Sequence, residues 1–202
     1  MTALYSYQMI AAPAFYLIKE KGSKFYGFAF PVKDENDIKT HLEELRNLHP
    51  KATHHCYAWR LGTDGHQFRA NDDGEPTNTA GKPILGQIDA FEITNCLVVS
   101  VRYFGGTKLG VSGLISAYKD SAKETLSKAE IIVLELYQPF KISCTYEFMN
   151  KAFQLINQYE GKILDQELNE ECVWKIEFPT KNYESLIENK YHFYPIEIKE
   201  IQ

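Results

Sequence analysis

Long apolar runs and closely paired cysteines are both missing from this sequence of 202 residues. Crossing a membrane as a helix takes roughly 20 consecutive apolar residues, and the first residues lack the basic, apolar and small-residue order of a secretion signal. The four cysteines are Cys56, Cys96, Cys144 and Cys172, which are widely spaced and form no CxxC motif. We therefore predict a cytoplasmic protein that does not bind membranes and keeps its cysteines reduced.

The sequence also lacks an excess of positive charge. Its 22 Lys and Arg residues are outnumbered by 27 Asp and Glu residues, which gives a net charge of −5. Neither residues 1–136 nor residues 137–202 form a basic region. Binding to nucleic acid through bulk charge depends on clustered Lys and Arg, so this non-specific mode is disfavoured. A local basic patch is still allowed.

Motifs for catalysis and nucleotide binding are absent as well. No serine or cysteine lies in a nucleophile motif such as GxSxG. The glycine spacing matches neither GxGxxG nor GxxxxGK followed by Ser or Thr. No residue therefore stands out as a catalytic nucleophile. The sequence favours a function other than catalysis without excluding an enzyme.

One group of residues has the side chains that a metal site uses. The candidate ligands are His54, His55 and Cys56, with the carboxylates Asp72, Asp73 and Glu75. Adjacent residues on a strand point to opposite faces, so at most one of the two histidines could join the carboxylates. We consider a metal site the less favoured interpretation, and we predict no metal and no cofactor.

The same carboxylates are also candidates for general acid or base catalysis. Asn71, Gly74 and Pro76 surround them, and these residue types are typical of turns. An acidic turn is therefore the favoured interpretation, and a catalytic one stays open.

The sequence from Asn71 to Gly113 contains a predicted strand, a glycine-rich turn and a helix. The apolar run Cys96–Val101 predicts a strand buried on both faces. A helix then begins at Gly110 with one apolar face, formed by Leu114, Tyr118, Ala122 and Leu126. The free N–H groups at the start of such a helix can bind an anion.

Basic residues near this turn are the candidate contacts to an anion or to nucleic acid. They are Lys24, Lys82, Arg102 and Lys108. The predicted surface loop comprises Asn71, Asp72, Asp73, Gly74, Glu75, Thr77, Thr79, Gly105 and Gly106. Tyr103 and Phe104 could stack on a base, although packing in the core is the favoured role for these aromatic side chains.

The pattern of elements indicates two domains. Residues 1–136 read as a mixed sheet with three helices, beginning with a hairpin around Gly22 and a helix capped by Asp34, with Ile38, Leu42, Leu45 and Leu48 on its apolar face. Residues 137–202 follow the order β-α-β-β-α-β, which is typical of a ferredoxin-like module. We therefore predict an α+β protein with a boundary after Leu136.

Several motifs together resemble the IMPACT family. They are Val99–Gly110 (VSVRYFGGTKLG), Asn71–Pro76 (NDDGEP) and Ala80–Leu85 (AGKPIL). The chain as a whole resembles the bacterial YigZ-type members of that family. The resemblance implies a first domain of the left-handed βαβ type, similar to domain 2 of a ribosomal protein and to domains of elongation factor G, RNase P protein and GHMP kinases. It also implies a ferredoxin-like second domain, similar to domains of elongation factor G.

Three functions are compatible with these observations. The eukaryotic IMPACT protein is a regulator of translation that acts through an additional N-terminal domain, for which this sequence has no room. The leading hypothesis is a translation-associated regulator that binds RNA, the ribosome or a translation factor through the Asn71–Gly113 surface. An enzyme acting on a phosphorylated or nucleotide substrate and a protein-interaction adaptor without RNA contact are the alternatives. The sequence does not define an oligomeric state.

Overall fold

The computed structural model describes residues 4–201. They divide into two compact units, one of residues 7–134 and one of residues 135–201 together with residues 4–6. The described residues contain five α-helices and eleven strands. The predicted α+β class is therefore confirmed, and the exact boundary after Leu136 stays a prediction.

The first unit contains a five-stranded sheet, a two-stranded sheet and three helices. The strands are β1 (Ser6–Ile10), β2 (Ala14–Glu20), β3 (Ser23–Pro31), β4 (His54–Leu61), β5 (Gln67–Asn71), β6 (Cys96–Tyr103) and β7 (Ile131–Glu135). The helices are α1 (Glu35–Leu48), α2 (Gly81–Ala90) and α3 (Gly110–Leu126). Strands β1 and β7 form the two-stranded sheet.

The five-stranded sheet has the order β2-β3-β6-β4-β5, with every neighbouring pair antiparallel. Strand β6 is central, and its residues Cys96 to Arg102 are all buried. The prediction of a strand buried on both faces is therefore confirmed. Strands β3 and β4 both run antiparallel to β6, so they are parallel to each other and α1 connects them. The left-handed sense of this connection stays a prediction.

Helices cover both faces of this sheet. Helix α1 packs its buried residues Ile38, Leu42 and Leu45 on one face, and α2 and α3 pack on the other. Asp34 caps α1 by accepting hydrogen bonds from two backbone N–H groups of the first turn, as the sequence predicts. Leu48 is the exception: it is the last residue of α1, one residue before the C-cap His49, and it is 67% exposed.

The second unit has the topology of a ferredoxin-like domain. Its elements are β8 (Tyr137–Cys144), α4 (Met149–Gln158), β9 (Lys162–Leu168), β10 (Cys172–Pro179), α5 (Tyr183–Asn189) and β11 (Glu197–Glu200). The antiparallel sheet order is β11-β8-β10-β9, and the two helices pack on one of its faces. The predicted β-α-β-β-α-β order is thereby confirmed.

No helix among residues 4–201 is both long enough and apolar enough to cross a membrane.

Candidate functional site

The loop between β5 and α2 is held by hydrogen bonds to the Asp72 carboxylate. Its Oδ1 accepts from the backbone N–H groups of Ala80 at 2.9 Å and Gly81 at 2.8 Å, and its Oδ2 accepts from Asn78 at 2.8 Å. Ala80, at the N-cap position of α2, has no side chain that could cap the helix. Asp72 lies outside α2, but its carboxylate supplies the negative charge and the hydrogen-bond acceptor that a helix N-terminus favours.

Other polar side chains of the same loop also bond to backbone groups. Asp73 Oδ2 accepts from the His55 backbone N–H at 2.6 Å, and Asn71 Oδ1 accepts from Asp73 at 2.8 Å. Thr79 is buried and donates its hydroxyl hydrogen to the Pro76 carbonyl at 2.6 Å. These contacts favour the acidic-turn interpretation over general acid or base catalysis. Of the remaining predicted loop residues, Gly74 and Thr77 are exposed.

Glu75 forms a buried ion pair with Arg102. The Arg102 Nη1 donates to Glu75 Oε1 at 2.6 Å, and both side chains are almost completely buried. The Tyr118 hydroxyl donates to the same carboxylate oxygen at 2.8 Å. On its other side Arg102 Nη2 lies 3.4 Å from Ser23 Oγ. The sequence predicts Arg102 as an anion contact, whereas in the structure the internal Glu75 carboxylate already matches its charge.

Aromatic rings surround the Arg102 guanidinium. The Cζ atom lies 5.4 Å from the centre of the Phe25 ring and 5.7 Å from that of Phe104. Such contacts favour a cation beside the ring face. The Phe25 ring is fully buried, whereas Phe104 is 49% exposed. Phe104 therefore connects the buried ion pair to the surface, and the predicted preference of this ring for the core is only partly met.

Burial keeps the hydroxyl and thiol groups of this region protonated. Desolvation, followed by the neighbouring Cys56 and Glu75, raises the pKa of Tyr118 far above its usual value. Desolvation likewise raises the pKa of Cys56, whose thiol donates to the Asp72 carbonyl at 3.0 Å. Both groups are therefore hydrogen-bond donors at neutral pH, and neither is an activated nucleophile.

The two histidines considered as metal ligands are engaged separately. His54 Nδ1 lies 2.7 Å from the Asp73 carbonyl oxygen, and its Nε2 is 3.8 Å from Glu75 Oε1. His55 is buried, and desolvation lowers its pKa. Within residues 4–201, no group of three or more His, Cys, Asp or Glu side chains is arranged to hold a metal ion.

The glycine turn after β6 packs directly on the turn between β2 and β3. A Cβ atom on Gly105 would lie 1.9 Å from the Gly22 carbonyl carbon. The Gly105 N–H donates to Ser23 Oγ at 3.2 Å. The two backbones can approach this closely only because residue 105 has no side chain. Gly106 is exposed and has a positive φ of 87°.

A surface groove lies where β6, the glycine turn and α3 meet. Its volume is about 330 Å³. Its walls are Glu75, Pro76, Arg102, Phe104, Lys108, Leu109, Gly110, Val111 and Leu114. Lys108 is exposed, Val111 is 59% exposed, and no ion pair within residues 4–201 includes Lys108. The groove is thus mainly apolar, with an unmatched cation at its rim.

The structure brings only part of the predicted basic set together. Arg102 and Lys108 both line the groove, whereas Lys82 is exposed in the first turn of α2 and does not. Lys24 lies opposite Tyr103 in the sheet register, and Tyr103 packs on the α1 side. Because paired residues share a face, Lys24 points away from the face that carries Arg102.

Tyr118 and Ser23 also belong to this site, although the sequence predicts no polar role for either residue. Tyr118 fits the apolar face of α3 and is fully buried there. A buried tyrosine hydroxyl usually finds a hydrogen-bond partner, which is the signal that could have linked it to an acidic residue. The sequence contains no comparable signal for Ser23, because its contact with Arg102 depends on how the hairpin of β2 and β3 folds.

The fold and the site together define a two-domain α+β protein whose first domain carries a groove beside a buried ion pair. The family model for the Impact N-terminal domain matches residues 21–126. The chain is 31% identical over 176 residues to the IMPACT family member YigZ of Escherichia coli, covering 86% of each protein. The chain therefore belongs to the IMPACT family, as the sequence motifs predict.

Two further relatives show how far the similarity extends. A yeast protein, the IMPACT homolog of Saccharomyces cerevisiae, is 35% identical over 98 residues, which are 46% of this chain and 37% of that protein. A crystal structure described as a hypothetical protein is 27% identical, covers 99% of both chains and has a TM-score of 0.70. The two-domain fold is thus shared along the whole length with a solved structure.

Proposed function

We propose that this protein is a regulator associated with translation that binds RNA, the ribosome or a translation factor through the Asn71–Gly113 surface. Membership of the IMPACT family supports the regulatory role, because the resemblance to that family implies a relation to the eukaryotic IMPACT protein, a regulator of translation. The whole set of motifs falls within the first domain. A cytoplasmic location is part of the same proposal.

The observation that carries the proposal is the groove beside α3. It presents one unmatched cation, Lys108, and two exposed apolar side chains, Phe104 and Val111. Exposed aromatic and basic residues on a rigid support are typical of interaction surfaces. Here the buried Arg102–Glu75 pair and the close turn at Gly105 supply that support.

The local positive charge of the groove favours RNA over the adaptor alternative, whereas the charge of the whole chain does not. The chain as a whole is acidic, so attraction to phosphate depends on the groove and not on the whole molecule. The adaptor alternative is supported by the same exposed Phe104 and Val111. The enzyme alternative is less well supported, because Asp72, Asp73 and Glu75 are engaged in hydrogen bonds within the fold.

Cosedimentation with ribosomes and separated subunits tests the proposal. Lys108→Ala is the informative variant, since Lys108 lines the groove and no ion pair among residues 4–201 includes it. Lys119→Ala is the matched control, because Lys119 is an exposed lysine of α3 that does not line the groove. We expect Lys108→Ala to bind several-fold more weakly and Lys119→Ala to bind like the wild type. Binding that survives nuclease treatment and high salt would favour the adaptor alternative.

A further inference from the structure

We propose that the groove beside α3 binds a nucleoside phosphate, with the phosphate at the start of α3 and the base against Phe104. The nucleotide is either free or part of a single-stranded RNA. This inference rests on the same surface as the proposed function but names the chemical group that the surface recognises. Two parts of the groove support this inference independently, one that would hold the phosphate and one that would hold the base.

The phosphate half is the N-terminus of α3. The first turn of a helix has backbone N–H groups without intrahelical partners and a partial positive charge. Within the described part of the chain, no side chain caps these groups of α3, and the first turn of the helix contains no acidic residue. Gly110 begins the helix, and a Cβ atom at this position would meet nothing within 4 Å. An anion can therefore approach the backbone closely, with the unmatched Lys108 beside it.

A second feature of the same wall also lacks a partner. Arg102 is 5% exposed, and its Nε atom is buried without a hydrogen-bond partner among the described residues. A buried donor of this kind costs free energy unless an acceptor reaches it. Arg102 lines the groove, so an acceptor atom of a bound ligand would approach from that side. This donor is independent of the helix terminus.

The base half is formed by apolar side chains. Phe104 presents half of its ring to solvent, and Val111, Leu109 and Leu114 continue the apolar wall. Stacking of a base on an aromatic ring tolerates any base. A volume of about 330 Å³ falls in the range of small-ligand pockets, and it suits one nucleotide and not an extended helix.

Glu75 does not prevent an anion from binding. Its carboxylate lines the groove, but its Oε1 accepts hydrogen bonds from Arg102 and Tyr118. The charges of Glu75 and Arg102 cancel to a first approximation. Lys108 and the helix terminus then leave the groove net positive.

An NMR titration of the full chain tests this inference. The probes are adenosine and uridine monophosphates, the matching nucleosides, inorganic phosphate and a single-stranded RNA tetramer. We expect saturable shifts of the backbone amides of residues 108–114 with the monophosphates or the tetramer, and much weaker effects of the nucleosides. Tighter binding of the tetramer would identify RNA as the source, and tighter binding of the monophosphates would identify a free nucleotide.

Two variants separate the two halves of the groove. Lys108→Ala and Phe104→Ala should each weaken binding about tenfold, through loss of a charged contact and of stacking respectively. The controls are Lys119→Ala and Tyr191→Ala, which remove an exposed lysine and a 78% exposed aromatic ring outside the groove. Neither control should change the affinity.

Three results would overturn the inference. They are the absence of a saturable shift of these amides with any monophosphate or with the tetramer, equal effects of nucleosides and monophosphates, and unchanged affinity of both groove variants.

Failure of this inference is distinguishable from failure of the proposed function. Nucleotide binding without ribosome association would support the groove ligand and contradict docking on the ribosome. Ribosome association without any nucleotide response would do the reverse.

Discussion

Arg102 is held in a fixed position by contacts on several sides. Glu75 accepts its hydrogen bond, the rings of Phe25 and Phe104 flank its guanidinium, and Ser23 lies near its second terminal nitrogen. These contacts fix the guanidinium at the groove wall and leave its Nε atom without a hydrogen-bond partner among the described residues. Arg102 therefore supports Phe104 and the turn that carries Lys108, and it keeps one donor for a ligand in the groove.

Replacing Arg102 alone should destabilise the protein strongly. Arg102→Ala leaves the Glu75 carboxylate buried without its counter-charge, and breaking such a pair costs about 3–5 kcal/mol of unfolding free energy. Urea denaturation measures this loss. The double variant Arg102→Met with Glu75→Gln removes both charges and should recover most of the stability.

One result would contradict this prediction. If Arg102→Ala unfolds at nearly the wild-type urea concentration, the ion pair is not a structural support. The same consideration makes Lys108→Ala, and not Arg102→Ala, the suitable variant for binding experiments, because Lys108 is exposed.

At the scale of elements, most of the architecture follows from the sequence. The run Cys96–Val101 is uniformly apolar apart from Ser100, and it forms the central strand. The four-residue spacing from Leu114 to Leu126 likewise defines the buried face of α3. These patterns are local, so periodicity is enough to find them.

The partners of the site residues are not local and could not be predicted in the same way. Glu75 meets Arg102 and Tyr118, which are 27 and 43 positions away in the sequence. The face on which Lys24 lies could not be predicted from spacing alone, because it depends on the register of β3 with β6. Pairing across a sheet and the reach of a loop are tertiary properties, which single-sequence periodicity does not contain.

The Asp72 cap gives a prediction at this scale. Asp72→Ala removes the acceptors of the Ala80 and Gly81 N–H groups at the start of α2 and of the Asn78 N–H group in the preceding loop, and it should cost about 1–2 kcal/mol of unfolding free energy. Asp72→Asn retains a carbonyl oxygen and should cost less. Urea denaturation and hydrogen exchange of the Ala80 and Gly81 amides measure the effect. Wild-type stability and slow exchange in Asp72→Ala would show that the cap contributes little.

At the scale of the whole molecule, stability should depend on pH through buried histidine. Desolvation lowers the pKa of His55, and also that of His49, below the ordinary value of 6.5. The unfolded chain therefore takes up a proton at a higher pH than the folded one. The stabilising contribution is complete above pH 6.5 and is lost as the pH falls from there towards the lowered folded pKa.

Urea denaturation at a series of pH values tests this linkage. The unfolding free energy of the wild type should fall as the pH decreases below 6.5, and that of His55→Gln should fall less steeply. Parallel pH profiles for the two proteins would show that His55 does not contribute.

The central claim, that the groove beside α3 is an RNA-facing surface, is tested most directly by the salt dependence of ribosome binding. Each phosphate contact contributes roughly one unit to the slope of log affinity against log salt concentration. We expect Lys108→Ala to reduce both the affinity and the slope, the latter by about one unit, and Lys119→Ala to match the wild type. Identical slopes for all three proteins, or no binding even at low salt, would contradict the account.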